Sequence, residues 1–230
     1  MSHPIIQKAI EEKRAILSLS ESLRLVESYE LPVVKYVYLK TPEESSKARD
    51  LNFPVVLKAD SPDIVHKTEA GAVKVGIKTE DELKRSMNEM LHNIRQKNPN
   101  ARVDGFVVQE MVQGAHEVII GGLKDEQFGP VVAFGIGGIL VEVLKDVVFE
   151  IAPISYEQAL DMIRRIKGFK LLEGYRGLPK ANVDLLAQVI SKASLMFSQL
   201  SSVVTEMDLN PTFVSSDWVK IADARFKLTV

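Results

Sequence analysis

The apolar pattern changes character at Asn98-Pro99-Asn100, and that change limits the folds open to this chain. Before it, helix-like and strand-like stretches follow one another irregularly. Ile5, Ile6, Ala9, Ile10 and Ile16 predict a first helix within residues 4–18. Ser20 is positioned to cap a second helix, with Leu23, Leu25 and Val26 inside it and an end near Glu30-Leu31-Pro32. Val33–Leu39, Phe53–Ala59 and Gly71–Lys78 predict strands, and Thr41-Pro42-Glu43-Glu44 opens a helix with proline at its first position. Thr79–Gln96 predicts an amphipathic helix with Leu83, Met87, Met90, Leu91 and Ile94 on its apolar face. Beyond the change, strands dominate: Val103–Gln109, His116–Gly122 and Val131–Gly135. Helices return at Tyr156–Ile166 and Asn182–Leu200, before a hairpin-like pair, Val203–Leu209 and Trp218–Ala222. This order is not a regular βαβ alternation, and no internal repeat is visible. It predicts an α+β (α/β) sandwich in two lobes. The expected divisions are an N-terminal helix at 1–19, a first lobe at 20–100 and a second at 101–230.

The bulk numbers exclude several functions. With 230 residues, 46% of them hydrophobic, there is ample material for a core. The formal net charge is -2, so no global basic surface draws nucleic acid or an anionic membrane. No cysteine is present, which rules out disulfides, thiolate metal sites and cysteine nucleophiles. No apolar run approaches the ~18 residues of a membrane span, and no signal-peptide core precedes Glu11-Glu12-Lys13-Arg14, so a cytoplasmic protein is expected.

The segment from Lys58 to Val73 joins two expected strands and holds Lys58, His66, Lys67, Ser61, Thr68 and Gly71. Lysines, hydroxyls and free amides suit a phosphate, and a neutral imidazole is a competent phosphate acceptor. A polar surface loop with an exposed histidine fits the same composition. The other histidines sit in plainer settings: His3 in a terminus expected to fray, His92 on the solvent side of a helix, and His116 beside Glu117 as an ordinary salt-bridged residue. Phe134-Gly135-Ile136-Gly137-Gly138-Ile139 lacks the spacing of a dinucleotide fingerprint. It reads equally as a tight turn or as a loop passing close to a ligand. Glu206, Asp208 and Asn210 alternate along a strand and so share a face, with Asn210-Pro211 ending it and Asp223 ending the next. A hairpin would bring Asn210 and Asp223 together. One carboxylate and one amide oxygen suffice for Mg²⁺ beside substrate phosphates; a capped turn explains the same residues.

These pieces occur in an order that resembles an ATP-grasp domain, and more narrowly the β subunit of ADP-forming acetyl-CoA synthetase. The resemblance runs from about Ser20 to the C-terminus. It is carried by Leu31-Pro32-Val33, Phe53 to Lys58, Ser61 to Thr68, Gln109-Glu110-Met111, Glu117, Phe128 to Val131, Gly137-Gly138, Gly174 to Gly177 and Asp208 to Pro211. It implies two ATP-grasp lobes with nucleotide between them, ATP or ADP as substrate, and Mg²⁺ held by Asn210 and Asp223. It implies phosphate contact by Lys58, an adenine hinge at Gln109, Glu110, Met111 and Val112, and Glu117 near the nucleotide. His66 becomes a phosphohistidine carrying phosphate between a CoA-binding α subunit and ADP, with Asp208 orienting its imidazole and an α2β2 heterotetramer as the assembly. The chain departs from the family pattern at Ala72, where a second glycine is usual, and at Glu30, where glycine is usual. Two other readings compete: a stand-alone ATP-grasp carboxylate ligase, for whose substrate domain the chain has little room, and a catalytically silent nucleotide-binding module. Acid-labile phosphate on His66 separates them from the first.

Overall fold

In the computed structural model, residues 3–64, 70–138, 146–174 and 179–229 are described. The chain divides into two compact units. One comprises residues 18–20 and 34–112, the other residues 1–17, 21–33 and 113–230.

The smaller unit is built on an antiparallel four-stranded sheet in the order β1-β4-β2-β3. Its strands are β1 (Tyr36–Leu39), β2 (Val55–Asp60), β3 (Val73–Ile77) and β4 (Gly105–Glu110). The expected strand at Val33 starts later, at Tyr36; Val33 instead makes an isolated parallel bridge with Ile221. The expected helix at Thr41-Pro42 is a 3-10 helix, Pro42–Asp50. α3 (Glu80–Lys97) starts where its capping residue predicts: the Thr79 hydroxyl accepts from the Glu82 amide at 3.2 Å. Leu83, Met87, Met90 and Ile94 recur at helical spacing and are buried with Leu57, Ala59, Phe106 and Val108. Removing this apolar surface from water is what holds helix to sheet.

In the larger unit a six-stranded sheet runs β10-β8-β5-β6-β7, with β9 also paired to β8. The strands are β5 (His116–Asp125), β6 (Gly129–Ile136), β7 (Val147–Ile151), β8 (Val204–Val214), β9 (Val219–Ile221) and β10 (Arg225–Leu228). α4 (Tyr156–Arg165), a short α5 (Phe169–Leu172) and α6 (Val183–Leu200) follow β7. α4 opens on a capping box between Ser155 and Gln158, α6 on the Asn182 side chain. α6 lies against β5, where a Cβ on Gly122 would stand 2.8 Å from the Phe197 ring. Along β5, His116, Val118, Ile120 and Gly122 are buried on that side, while Glu117, Ile119, Gly121 and Leu123 line the other.

α1 spans Pro4–Glu11 and α2 spans Leu19–Ser28. The first helix is therefore shorter than residues 4–18. The chain reverses at Lys13, φ 55°, and Ile16 bridges Lys227 in an extended segment. His3 is not frayed: its Nδ1 accepts from the Ile5 amide, and burial lowers its pKa. Ser20 is not a cap but lies within α2, and its own amide is capped from elsewhere.

Candidate functional site

Lys58 and Gln109 come together on one face of the smaller sheet. Val56 lies opposite Gln109 and Lys58 opposite Val107, so these four side chains share the side turned away from α3. Both polar residues are buried, Lys58 to 6% exposure and Gln109 to 2%. β2 runs past Lys58 to Asp60, one residue beyond its expected end at Ala59. Glu110 closes β4 with its carboxylate accepting from the Lys35 amide at 2.8 Å, while its own amide donates to the Lys35 carbonyl. This fixes the start of the Gln109 to Val112 stretch. Met111 and Val112 follow, each half-buried.

His66 and the adjoining residues 65–69 lie outside the described residues. The chain on either side is tied down. The Asp63 carboxylate accepts from the Arg102 amide at 2.7 Å, and Ile64 is buried among the apolar side chains under α3. On the far side the Ala59 amide donates to the Ala72 carbonyl, and Gly71 takes φ +70°, a conformation glycine adopts without strain. Sequence reasoning missed Asp60. This carboxylate, 1% exposed, accepts from the Ser20 amide at 3.0 Å and from the Ser20 and Ser18 hydroxyls at 2.6 and 3.2 Å. Its signal was a charged residue at the buried end of a strand, which demands compensating donors.

In the larger unit, Glu117, Asp208 and Asn210 line the sheet face opposite α6. β5 pairs Glu117 with Phe213 and Gly121 with Asp208. The register slips between Val118 and Ile120, which face Thr212 and Leu209, so Asn210 and Pro211 together stand opposite Ile119. That is a β-bulge, a device that re-aims a side chain without breaking the sheet. β8 therefore continues through Asn210-Pro211 to Val214, where the sequence suggested an end.

On its other edge β8 faces an interrupted strand. β9 pairs Thr212 with Ile221, and β10 pairs Asp208 with Arg225. The β9 ladder and the β10 ladder from Arg225 to Lys227 share one register, which shifts only at Leu228. Midway between the two pairs on each strand, that register sets Asn210 opposite Asp223, in the gap between β9 and β10. The Ala222 amide donates to the Pro211 carbonyl at 2.9 Å, holding that gap closed. Asn210 is exposed and Asp223 half-buried. An amide oxygen and a carboxylate are hard oxygen donors, and the donor set fits Mg²⁺, which keeps water and substrate oxygens in its remaining positions.

The glycine-rich stretch lies beside Glu117. The Gly137 amide donates to the Glu117 carbonyl at 2.7 Å. His116, 5% exposed, makes no salt bridge of the expected kind among the described residues; its Nε2 lies 2.7 Å from the Pro179 carbonyl. His92 is exposed and pairs with Gln96. Among the described residues no helix is long and apolar enough to cross a membrane.

Comparison with known proteins agrees with this arrangement. The family model for the ATP-grasp domain matches residues 8–228. The β subunit of the ADP-forming acetate–CoA ligase I of Pyrococcus furiosus is 39% identical over 225 residues, 97% of this chain and 96% of that subunit. The dinucleotide-forming acetyl-coenzyme A synthetase 1 of Ca. Korarchaeum cryptofilum, solved with coenzyme A, Ca-AMPCP and HgCl+, superposes with a TM-score of 0.94 at 37% identity over all of both chains. A second structure of that synthetase superposes at 0.84 with 36% identity over 98% of each chain. It holds coenzyme A and Mg-AMPPCP and has its phosphohistidine segment pointing towards the nucleotide binding site. The chain belongs to the ATP-grasp domain family, among the β subunits of ADP-forming acetate–CoA ligases.

Proposed function

We propose that this chain is the nucleotide-binding subunit of an ADP-forming acyl-CoA synthetase, acetyl-CoA being the first acyl-CoA to test. In this reading it passes phosphate between a histidine and ADP. The observation that carries the reading is the single β8 register that sets Asn210 opposite Asp223, on the sheet that also carries Glu117.

Lys58 is assigned to the nucleotide's phosphates, and Asn210 and Asp223 to its metal. Gln109 to Val112 are assigned to its base, and Glu117 to the nucleotide as well. The Lys58 ammonium balances phosphate charge, a buried cation being stronger there than in water. Mg²⁺ held by Asn210 and Asp223 would neutralise the charge that develops on the phosphate oxygens. In the ATP-cleaving direction a ring nitrogen of His66 attacks the γ-phosphorus. The bond to the bridging oxygen breaks, ADP departs with both electrons, and an N–P bond remains. The reverse step returns phosphate to ADP and forms ATP. Asp208 is assigned to orient the imidazole and to balance the charge it gains as the N–P bond forms. The partner is a CoA-binding α subunit, and the assembly an α2β2 heterotetramer.

Incubation with γ-labelled Mg-ATP tests the reading. An acid-labile, base-stable label on His66, lost in His66→Ala while Mg-ADP still binds, is the expected result. A label on His116 or His92 instead, or full synthetase turnover by His66→Ala with its partner, would leave the ATP-grasp domain standing and remove His66 as the phosphate carrier.

A further inference from the structure

Glu117 is held more firmly than its place in a strand requires. β5 fixes its backbone through pairing with Phe213. The Gly137 amide then donates to its carbonyl at 2.7 Å. A Cβ on Gly137 would stand 2.8 Å from the Glu117 Cγ and 2.9 Å from its carbonyl carbon. Real Cβ atoms do not approach so closely, so only glycine lets the turn lie against the Glu117 stem. Gly138 follows at φ +69°, and a Cβ there would have the Glu117 Oε2 as its nearest neighbour, at 3.7 Å. The glycine pair forms a floor along which the carboxylate extends.

A second hold acts one residue earlier. His116 points to the opposite side of β5 and is almost fully buried. A carbonyl has no proton to give, so the 2.7 Å contact with Pro179 has Nε2 as donor. The backbone that carries the carboxylate is thus constrained on one side by this imidazole and on the other by the glycine turn. A charged group held this way reaches its ligand with little ordering left to do at binding.

We infer that Gly137 and His116 are positioning residues for the Glu117 carboxylate: Gly137 by leaving the volume the stem occupies, His116 by pinning the start of β5 to Pro179. The inference rests on the proposed assignment of Glu117 to the nucleotide.

The test is calorimetric titration of the full chain with Mg-ADP, using Glu117→Ala, Gly137→Ala, their double variant, His116→Ala and His116→Gln. Loss of a hydrogen bond to a charged group weakens binding by about tenfold or more, the factor expected for Glu117→Ala. Gly137→Ala should weaken it by a comparable factor, and the double variant should bind no worse than Glu117→Ala alone. His116→Gln, whose amide can still donate, should bind more tightly than His116→Ala. Wild-type affinity in Gly137→Ala, or a double variant that loses the product of both factors, overturns the inference alone. Wild-type affinity in Glu117→Ala overturns the inference together with the nucleotide assignment of Glu117. Should Gly137→Ala fail to fold, the same cycle run with His116→Ala and Glu117→Ala decides, with His116→Gln as the rescue.

Discussion

Glu30 adopts φ 53°, in the left-handed region, at a position where the family pattern has glycine. A Cβ there crowds the following carbonyl, so the residue persists only if something else holds it. Lys192 does: its ammonium lies 2.7 Å from the Glu30 carboxylate and 3.2 Å from the Glu30 carbonyl oxygen. The hydrogen bond from Lys192, and then its charge, hold the Glu30 carboxyl below the usual carboxylate range. A carboxyl lowered in the folded state contributes stability above its unfolded value and loses it as pH falls through the folded one. Lys192→Ala should therefore lower the melting midpoint at neutral pH by roughly 1–3 °C, as befits an exposed pair. The difference should shrink in strong acid, where only the bond to the Glu30 carbonyl remains. In a Glu30→Gly background, where the turn is relaxed without help, Lys192→Ala should have almost no effect. Equal shifts in the two backgrounds would show that Lys192 does not compensate the backbone. Ala72, the other departure, raises no such conflict, since it is fully buried in the core beneath α3 and leaves Gly71 to supply the positive φ.

Gly121 and Gly122 are adjacent in sequence and opposite in consequence. Gly122 faces α6, where an added Cβ would meet the Phe197 ring at 2.8 Å; at Gly121 the nearest atom is the Ala133 Cβ at 3.4 Å. Gly122→Ala should cost about 1–3 kcal/mol by overpacking. Phe197→Leu should recover part of that loss, and Gly121→Ala should stay within about 1 kcal/mol of wild type. Chemical denaturation of these variants beside the wild type checks this, and similar costs at both glycines would contradict the placement of α6. The distinction lies in the tertiary packing of a helix far along the chain, so no local pattern reveals it. Elements with a local signature were legible: α3 from its Thr79 cap and apolar spacing, α6 from Asn182, β5 from alternation. β7 was not, because Val147-Val148-Phe149-Glu150-Ile151 lies at a sheet edge with Phe149 and Ile151 exposed, and it lacks the alternation of a half-buried strand. The first helix ends short of residue 18 because Ile16 is apolar for a different reason: it bridges Lys227, and the next amide, that of Leu17, donates to the Phe226 carbonyl. At the candidate site, the facing of Asn210 and Asp223 was legible as a hairpin. The bulge at Asn210-Pro211 and the continuation into β10 were not, since both depend on the register of β8 against two other strands.

At the scale of the molecule, every side chain assigned a role serves one half of a reaction. In the proposed reading Lys58, Gln109, Glu117, Asn210 and Asp223 address a nucleotide and its metal, and His66 accepts phosphate from it. Acyl-CoA cleavage needs a second set of groups, to bind the thioester and to put inorganic phosphate onto the acyl carbon. The Pyrococcus furiosus relative, matched over 96% of its length, is by name a β subunit. The two half-reactions should therefore separate experimentally. The purified chain with Mg²⁺ should exchange labelled ADP into ATP, since phosphate moves from ATP to His66 and back without any acyl group. Alone it should form no ATP from acetyl-CoA, phosphate and ADP. Adding a CoA-binding α subunit should switch that reaction on, and His66→Ala should abolish both activities. Exchange that persists in His66→Ala would place the phosphate elsewhere. Acetyl-CoA-dependent ATP formation by the lone chain would mean that the acyl half of the chemistry also resides in these residues, and the division of labour proposed here would fall with it.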